Sequence, residues 1–224
     1  MVPSRVILFN VVSRAIPTAT VARLPVYLRS LVELPASQET CSSDQLAAIA
    51  GVNSAQVRKD LSHFGSLGTR GVGYNVAELR SLLREALGLT REYPVVLIGA
   101  GNLGSALANY PGFEAWGFEM VAVFDTEPDK VGQSVGDLTI QHLSDLEKVV
   151  ADRGVSIGII ATPANAAQDV ADRITRSGIR SILNFAPSVL QVPDGVSVRR
   201  VDLSTELQIL TFHLSSQADE PVAG

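Results

Sequence analysis

The sequence predicts an α/β chain in two parts, an N-terminal winged helix-turn-helix domain followed by a doubly wound parallel sheet. Three observations predict it. Apolar residues fall at helical spacing before residue 90, then gather into short continuous runs after Tyr93-Pro94. A glycine turn, Gly51-Val52-Asn53, joins two segments that each begin with a capping pattern. The charge also divides: residues 1–91 hold ten Lys/Arg against six Asp/Glu, a net of +4, while the remainder holds eight against seventeen, a net of −9 within the overall −5. That asymmetry assigns any polyanion to the N-terminal part.

Each element has its own signal. Val21, Leu24, Leu28, Leu31 and Val32 predict a helix from about Thr20 to Leu34, stopped by Pro35. Pro25 is tolerated near a first turn if that helix begins at about Arg23. Ser42-x-x-Gln45 opens a short second helix that ends at Gly51, and Asn53-x-x-Gln56 opens a third carrying Val57 and Leu61. Two short helices across a three-residue turn make a helix-turn-helix. Gly65 to Tyr74, with four glycines and no helical period, reads as a glycine-rich hairpin, and Asn75-x-x-Glu78 caps a further amphipathic helix ended by Gly88. This is the winged-helix order. In the second part, Val95 to Ile98, Met120 to Phe124, Ile157 to Ile160 and Ile179 to Leu183 are candidate buried strands. They alternate with helical segments such as Asp145 to Arg153 and Ala164 to Arg176. A last strand near Val196 to Val201 precedes Ser204, the expected N-cap of a terminal helix with Leu207, Leu210 and Leu214.

Composition excludes several classes. At 224 residues and 46% hydrophobic, the chain has ample material for packed cores. Its one cysteine, Cys41, excludes an internal disulfide framework and a multi-thiolate metal site, and a buried or half-buried thiol is expected there. Val6 to Val12, interrupted by Asn10, is far short of the roughly 20 residues a membrane span needs, and it makes a poor signal peptide. The expectation is a cytoplasmic protein with no membrane and no metal partner.

Two constellations carry chemistry. Gly99-Ala100-Gly101-Asn102-Leu103-Gly104 matches G-x-G-x-x-G, directly after one apolar run and opening a helix through Ala106 to Ala108. In that context it predicts a Rossmann-type dinucleotide site. Gly99 makes the tight turn, Gly101 lets a pyrophosphate approach the backbone, Gly104 permits close helix–sheet packing, and the helix N-terminus faces the anion. Asp125 ends the next run 21 residues after Gly104, where ribose hydroxyls arrive. It favours NAD over NADP, because a 2′-phosphate would be repelled and Thr126-Glu127-Pro128 supplies no arginine. The bland alternative is an ordinary strand-to-helix turn with a surface aspartate. The second constellation is the helix Ser54 to Leu61, whose Ser54, Gln56, Arg58 and Lys59 can reach base edges or phosphates. Arg70 at the wing tip and Tyr74 at the end of the hairpin complete the DNA-contact set. Taken alone, Arg58-Lys59 would be a solvated surface pair.

These pieces together resemble the Rex family of bacterial redox-sensing repressors from about Ala15 to Gln217. The telling stretches are Val57 to Ser62, Gly68 to Tyr74, the glycine fingerprint, Ile182 to Pro187 and Val201-Asp202-Leu203. The resemblance implies a homodimer on palindromic operator DNA, with the C-terminal helix exchanged between subunits. It also implies that NADH binding releases the operator while NAD+ competes and leaves repression in place. A cationic nicotinamide ring loses more hydration energy than a neutral one on entering an apolar pocket. Phe185 and Pro187, with Ala161-Thr162-Pro163, are the expected pocket walls. By resemblance, Arg29, Tyr110 and Asp202 couple pocket to dimer, Tyr110 also touching the cofactor; for Asp202 alone, a helix N-terminal acid is the plain alternative. His63 and Leu67 depart from the family, which usually has aromatic residues there. The expected division is a tail over 1–18, the winged helix over 19–90, the Rossmann domain over 91–203, the dimerisation helix over 204–217 and a tail over 218–224.

An NAD-dependent oxidoreductase would share the fingerprint, but it needs a substrate domain and a proton-handling group. About 130 residues follow Arg91, and their histidines, His142 and His213, lie away from the expected ring pocket. A CoA-binding module with an N-terminal interaction domain is the third reading, opposed by the charge division and the wing. No catalytic residue is assigned.

Overall fold

The structure, a computed structural model, describes residues 16–69 and 71–218. Its contacts cluster into two units that meet in sequence between Arg91 and Glu92. Arg70, residues 1–15 of the expected tail over 1–18 and residues 219–224 of that over 218–224 lie outside the described residues, while Thr18 and Ala218 belong to helices.

The first unit begins with helix α1, Thr18–Glu33, which turns Leu24, Tyr27, Leu28 and Leu31 inward at helical spacing. It starts earlier than the sequence suggested, because the carbonyl of Pro17 accepts from the amides of Thr20 and Val21. Pro25 therefore sits two turns inside the helix rather than in its first turn. It lies on the exposed face, where water can serve the carbonyl that its missing N–H leaves unpaired. Strand β1, Thr40–Cys41, precedes α2, Ser43–Ala50, and α3, Ser54–Leu61. Ser42 and Asn53 cap these helices by accepting from the amides of Gln45 and Gln56. Strand β2, Tyr74–Asn75, pairs antiparallel with β1, and Asn75 caps α4, Val76–Ala86. The pairing needs glycine at Gly73, whose φ is +99° and whose added Cβ would lie 2.3 Å from the carbonyl oxygen of Cys41. Cys41 is buried, as expected, and burial pushes its thiol pKa up.

The second unit runs β3, Tyr93–Ile98; α5, Asn102–Ala108; α6, Pro111–Ala115; β4, Phe118–Asp125; β5, Ser134–Val135; β6, Leu138–His142; α7, Leu146–Arg153; β7, Ile157–Ile160; α8, Ala164–Arg176; β8, Ser181–Asn184; β9, Ser197–Arg200; and α9, Leu203–Ala218. Seven strands form one sheet in the order β5-β6-β4-β3-β7-β8-β9, parallel except for the β5–β6 hairpin at one edge. Without β5, the strands in chain order read 3-2-1-4-5-6, the doubly wound arrangement. One face is covered by α7 and α8 over Val96, Ile98, Phe124 and Ile160; the other packs Leu97, Val123 and Ile159 against Leu107, Ala108 and Phe113. The sheet side chains among these are fully buried and contribute about 1.5–3 kcal/mol each. The terminal helix starts at Leu203, two residues before the Thr205 that a cap at Ser204 would give. Asp202, rather than Ser204, is the capping residue, accepting from both the backbone N–H and the hydroxyl of Ser204.

Candidate functional site

A parallel sheet that winds both ways leaves a crevice at the carboxyl ends of the strands where the winding reverses, here between β3 and β7. The backbone holds that edge together. Gly99 N donates to Phe124 O at 2.8 Å, Ala161 N to Ile98 O at 2.8 Å and Phe185 N to Ile160 O at 2.9 Å. The loop after β3, the end of β4 and the loops after β7 and β8 are thereby brought to one rim, which gathers Gly99 to Gly104, Asp125, Ala161 to Pro163 and Phe185.

The three glycines of the loop differ physically. Gly99 has φ +103°, and a Cβ there would meet Ala161 O at 2.6 Å; a Cβ on Gly104 would lie 1.8 Å from Gly99 O. Both are required by packing. Gly101 has no atom within 4 Å of where its Cβ would be, so the fold itself does not require glycine there, and the open space lies at the N-cap of α5. Asn102 and Leu103 begin that helix and are exposed, whereas Ala100 is buried. Beside the loop, the hydroxyl Oγ1 of Thr162 is buried with no hydrogen-bond partner among the described residues, as is Oγ of Ser188. A buried orphan hydroxyl next to an open glycine cradle is the condition a polar ligand would satisfy.

Asp125 is 7% exposed. Its Oδ2 accepts from Ala100 N at 2.8 Å and Lys130 Nζ at 3.3 Å, and its Oδ1 from Thr126 N at 2.7 Å and Glu127 N at 3.0 Å. Burial works against the charge, but the amides of Glu127 and Ala100 and the ammonium of Lys130 together hold the carboxyl below its usual pKa. It is ionised at neutral pH and fixed to the glycine loop. Lys130, which also pairs with Glu127 at 3.1 Å, escaped the sequence reading. Its signal was a cation five residues after the acid.

Asn184 was also missed as a positioning residue. It is buried, its Oδ1 accepts from Ala186 N at 2.9 Å, and its Nδ2 donates to Ser188 O at 3.0 Å, so it shapes the loop that carries Phe185 and Pro187. Phe185 is half-buried and Pro187 exposed. Tyr110, the N-cap of α6, is 49% exposed and meets Phe113 edge-on with ring centroids 5.2 Å apart. Asp202 is held by Arg200 and Ser204, the Ser204 bond first among the causes that bring its pKa down to about 2. Arg29 lies on the exposed side of α1.

On α3, Lys59 is exposed and has no partner among the described residues. Arg58 is exposed and donates to Ser43 Oγ at 2.9 Å, while Ser54 and Gln56 are half-buried. Tyr74 lies near enough to Arg58 to feel its charge but is largely covered. It is 7% exposed, packed in the β1–β2 pair, and burial raises its pKa.

The acidic residue of α3 points the other way. Asp60, 1% exposed, accepts from Thr20 Oγ1 at 2.9 Å, Arg23 Nε at 2.6 Å, Arg23 Nη2 at 2.8 Å, Tyr27 OH at 2.7 Å and Gln56 Nε2 at 2.9 Å. Burial pushes this carboxyl up, yet Arg23, Tyr27, Thr20 and Gln56 together hold it well below its usual range. Burial, and then the hydrogen bond to Asp60, pushes Tyr27 up to about 12.

The family model described as CoA binding domain matches residues 90–188, and the one described as putative DNA-binding protein N-terminus matches residues 15–62. The redox-sensing transcriptional repressor Rex of Streptomyces coelicolor is 58% identical over 94% of this chain and 82% of its own. A crystal structure of RSP, a Rex-family repressor, in complex with beta-NAD+ and operator DNA is 39% identical over 92% of this chain and 95% of that one, with a TM-score of 0.84. RSP in complex with beta-NADH is 38% identical over 92% and 97%, with a TM-score of 0.83.

Proposed function

The chain belongs to the Rex family of redox-sensing transcriptional repressors, and on that premise we propose how its own residues perform the task. It is a DNA-binding repressor that senses the NADH/NAD+ balance, not a dehydrogenase. NADH binding in the second unit releases operator DNA from the first. The observation that carries this reading is the pairing of an open Gly101 cradle with the buried, ionised Asp125 at the crevice of the doubly wound sheet. The amides at the N-terminus of α5 hold the pyrophosphate, Asp125 the ribose hydroxyls, and Ala161, Thr162, Pro163, Phe185 and Pro187 the nicotinamide side. The ring's loss of positive charge on reduction is the signal the site discriminates.

Ser54, Gln56, Arg58 and Lys59 of α3 meet the major groove, and Arg70 joins them from the wing. Tyr74 supports the wing from inside. Arg29, Tyr110 and Asp202 form the coupling set, with Asp202 placed where α9 begins.

The chain acts as a homodimer. Along α9, Leu203, Leu207, Ile209, Leu210, Phe212 and Leu214 are 48–67% exposed, an apolar load that water alone would not retain. The sheet face of the same unit carries a groove of about 310 Å³ lined by Phe113, Phe118, Met120, Ile157, Leu183 and Arg199. The α9 of a second copy is the occupant we assign to it. Among the described residues no helix is long and apolar enough to cross a membrane and no three metal-ligating side chains cluster. A cytoplasmic location fits a protein whose ligands are operator DNA and a dinucleotide.

Gel-shift titration tests the reading on a palindromic duplex that the chain itself selects from a random pool. NADH abolishes the shifted band and NAD+ leaves it. A shift indifferent to NADH, or no selected duplex at all, defeats it.

A further inference from the structure

We propose that Asp60 is a positioning residue for base recognition: it fixes the side-chain amide of Gln56 so that α3 reads an adenine in each operator half-site. The inference rests on the reading of α3 as the recognition helix and goes beyond it by assigning an oriented reader and a base.

The argument starts from what a carboxylate can accept. An ionised Asp60 has no hydrogen to give, so the Gln56 atom 2.9 Å from its Oδ1 is the amide nitrogen, and the amide oxygen is directed away. The carboxylate itself cannot rotate. Arg23 grips it in a two-pronged bond at 2.6 and 2.8 Å, and Thr20 and Tyr27 add bonds at 2.9 and 2.7 Å, all three from α1. Five donors on one buried carboxylate, four from a different helix, are more than an i,i+4 surface pair requires.

Gln56 is left with its Oε1 and its second N–H, neither with a partner among the described residues. One acceptor and one donor on a planar amide match the N6–H and N7 of adenine in the major groove. A free glutamine would have to order its rotors and its amide orientation on binding; here Asp60 has already set them.

The same network withholds Arg23 from DNA. Its guanidinium is spent on Asp60, which also raises its pKa, so Arg23 contributes alignment of α1 with α3 rather than a phosphate contact.

The test uses the full chain and compares base preferences in duplexes selected from a random pool, alongside affinities for the wild-type-selected duplex and a scrambled duplex of the same length. Gln56→Ala is expected to lose one adenine preference per half-site, weakening the selected duplex by roughly 5- to 150-fold per half-site and the scrambled duplex hardly at all. Arg23→Met/Tyr27→Phe/Asp60→Leu removes the buried charge together with its partners, so no lone ion remains inside. It is expected to lose the same adenine preference while its melting temperature and NADH affinity stay near wild type. Adding Gln56→Ala to that triple variant should cost nothing more, as two groups acting as one unit require.

Retention of the adenine preference by Gln56→Ala, or by a folded triple variant, overturns the proposal. Should the triple variant fail to fold, Gln56→Glu decides. A second carboxylate repelled from Asp60 must lose the adenine preference at that same position, and keeping it overturns the proposal. Lys59→Ala separates the two levels. If it weakens both duplexes while Gln56→Ala leaves base preference intact, only the role of Asp60 falls. If neither variant changes binding, α3 is not the recognition helix and the proposal falls with that assignment.

Discussion

Alanine placed in turn at Gly101 and Gly104 separates what the fold requires of the glycine loop from what the ligand requires. At Gly104 the new Cβ would stand 1.8 Å from Gly99 O, where ordinary contact begins at 3.4 Å. Helix α5 must back away from β3 by more than an ångström, and in a packed interior such overpacking costs about 1–3 kcal/mol. For a unit of this size that corresponds to a fall in Tm of roughly 3–10 °C. At Gly101 nothing lies within 4 Å of the added Cβ, and its φ of −79° suits any L-residue, so the change in stability stays within about 0.5–1 kcal/mol. The added methyl nonetheless fills the space through which the pyrophosphate reaches the amides of α5. Losing one such charged hydrogen bond costs about 1.5–3 kcal/mol, or roughly 10- to 150-fold in affinity. Circular dichroism gives the Tm and a fluorescence titration gives the NADH affinity. A folded Gly101→Ala protein that binds NADH as the wild type does, or a Gly104→Ala protein that melts like it, would refute the reasoning.

Asp125→Ala leaves three backbone amides without their acceptor and Lys130 with Glu127 alone, so it should both blunt the NADH response and lower stability by about 1–3 kcal/mol. A full NADH response in the gel shift would remove the ribose assignment. Tyr27 titrates at about 12 in the folded chain against an ordinary value of 10, so the fold favours its neutral form. The stability it supplies is intact below pH 10 and lost as pH rises towards 12. In urea titrations the gap between wild type and Tyr27→Phe should narrow over that interval, and a constant gap contradicts the network. Leu207→Asp with Leu210→Asp should convert the dimer to a monomer by light scattering and abolish operator binding, since two joined half-site contacts are then lost. Lys59→Ala should reduce the salt slope of operator binding by about two for the dimer, one phosphate per subunit; an unchanged slope removes that contact.

What was legible in the sequence was whatever local periodicity or capping writes into adjacent residues. Ile157–Ile160 and Ala164–Arg176 could be read to the residue because continuous apolar runs and an amphipathic stripe have sharp ends. The two-residue strand β5 and the five-residue α6, opening on Pro111-Gly112, are too short for any period to register. Pro25 misled because the effect of proline depends on which face of the helix it occupies, and only the tertiary structure shows that face. The glycine loop and Asp125 were found because strand, turn and acid follow in order. Asp60 is bonded to residues 33 to 40 positions away. Its one trace in the sequence was that it falls on the same stripe as Val57 and Leu61, an inward position for an acid.

Net charge per half assigns a polyanion to the first unit, but the structure shows that its cations are not equivalent. On α3, Arg58 leans on Ser43, and Arg23 of α1 is consumed by Asp60, leaving Lys59 as the cation of the helix with no partner among the described residues. The Arg23–Asp60 pair is neutral and already counted within the +4, so the field at the phosphates comes from the other basic residues, and base specificity comes from oriented neutral groups such as Gln56. The second unit shows the converse. Its −9 would repel a dinucleotide at long range, but screening limits such repulsion to about 8 Å at physiological salt. At the loop itself, Asp125 accepts from three amides and from Lys130, which it shares with Glu127. What an approaching pyrophosphate meets is then the N-terminus of α5 beside an acid whose lone pairs are already taken by amides and by Lys130, which is how an acidic domain can hold an anionic ligand.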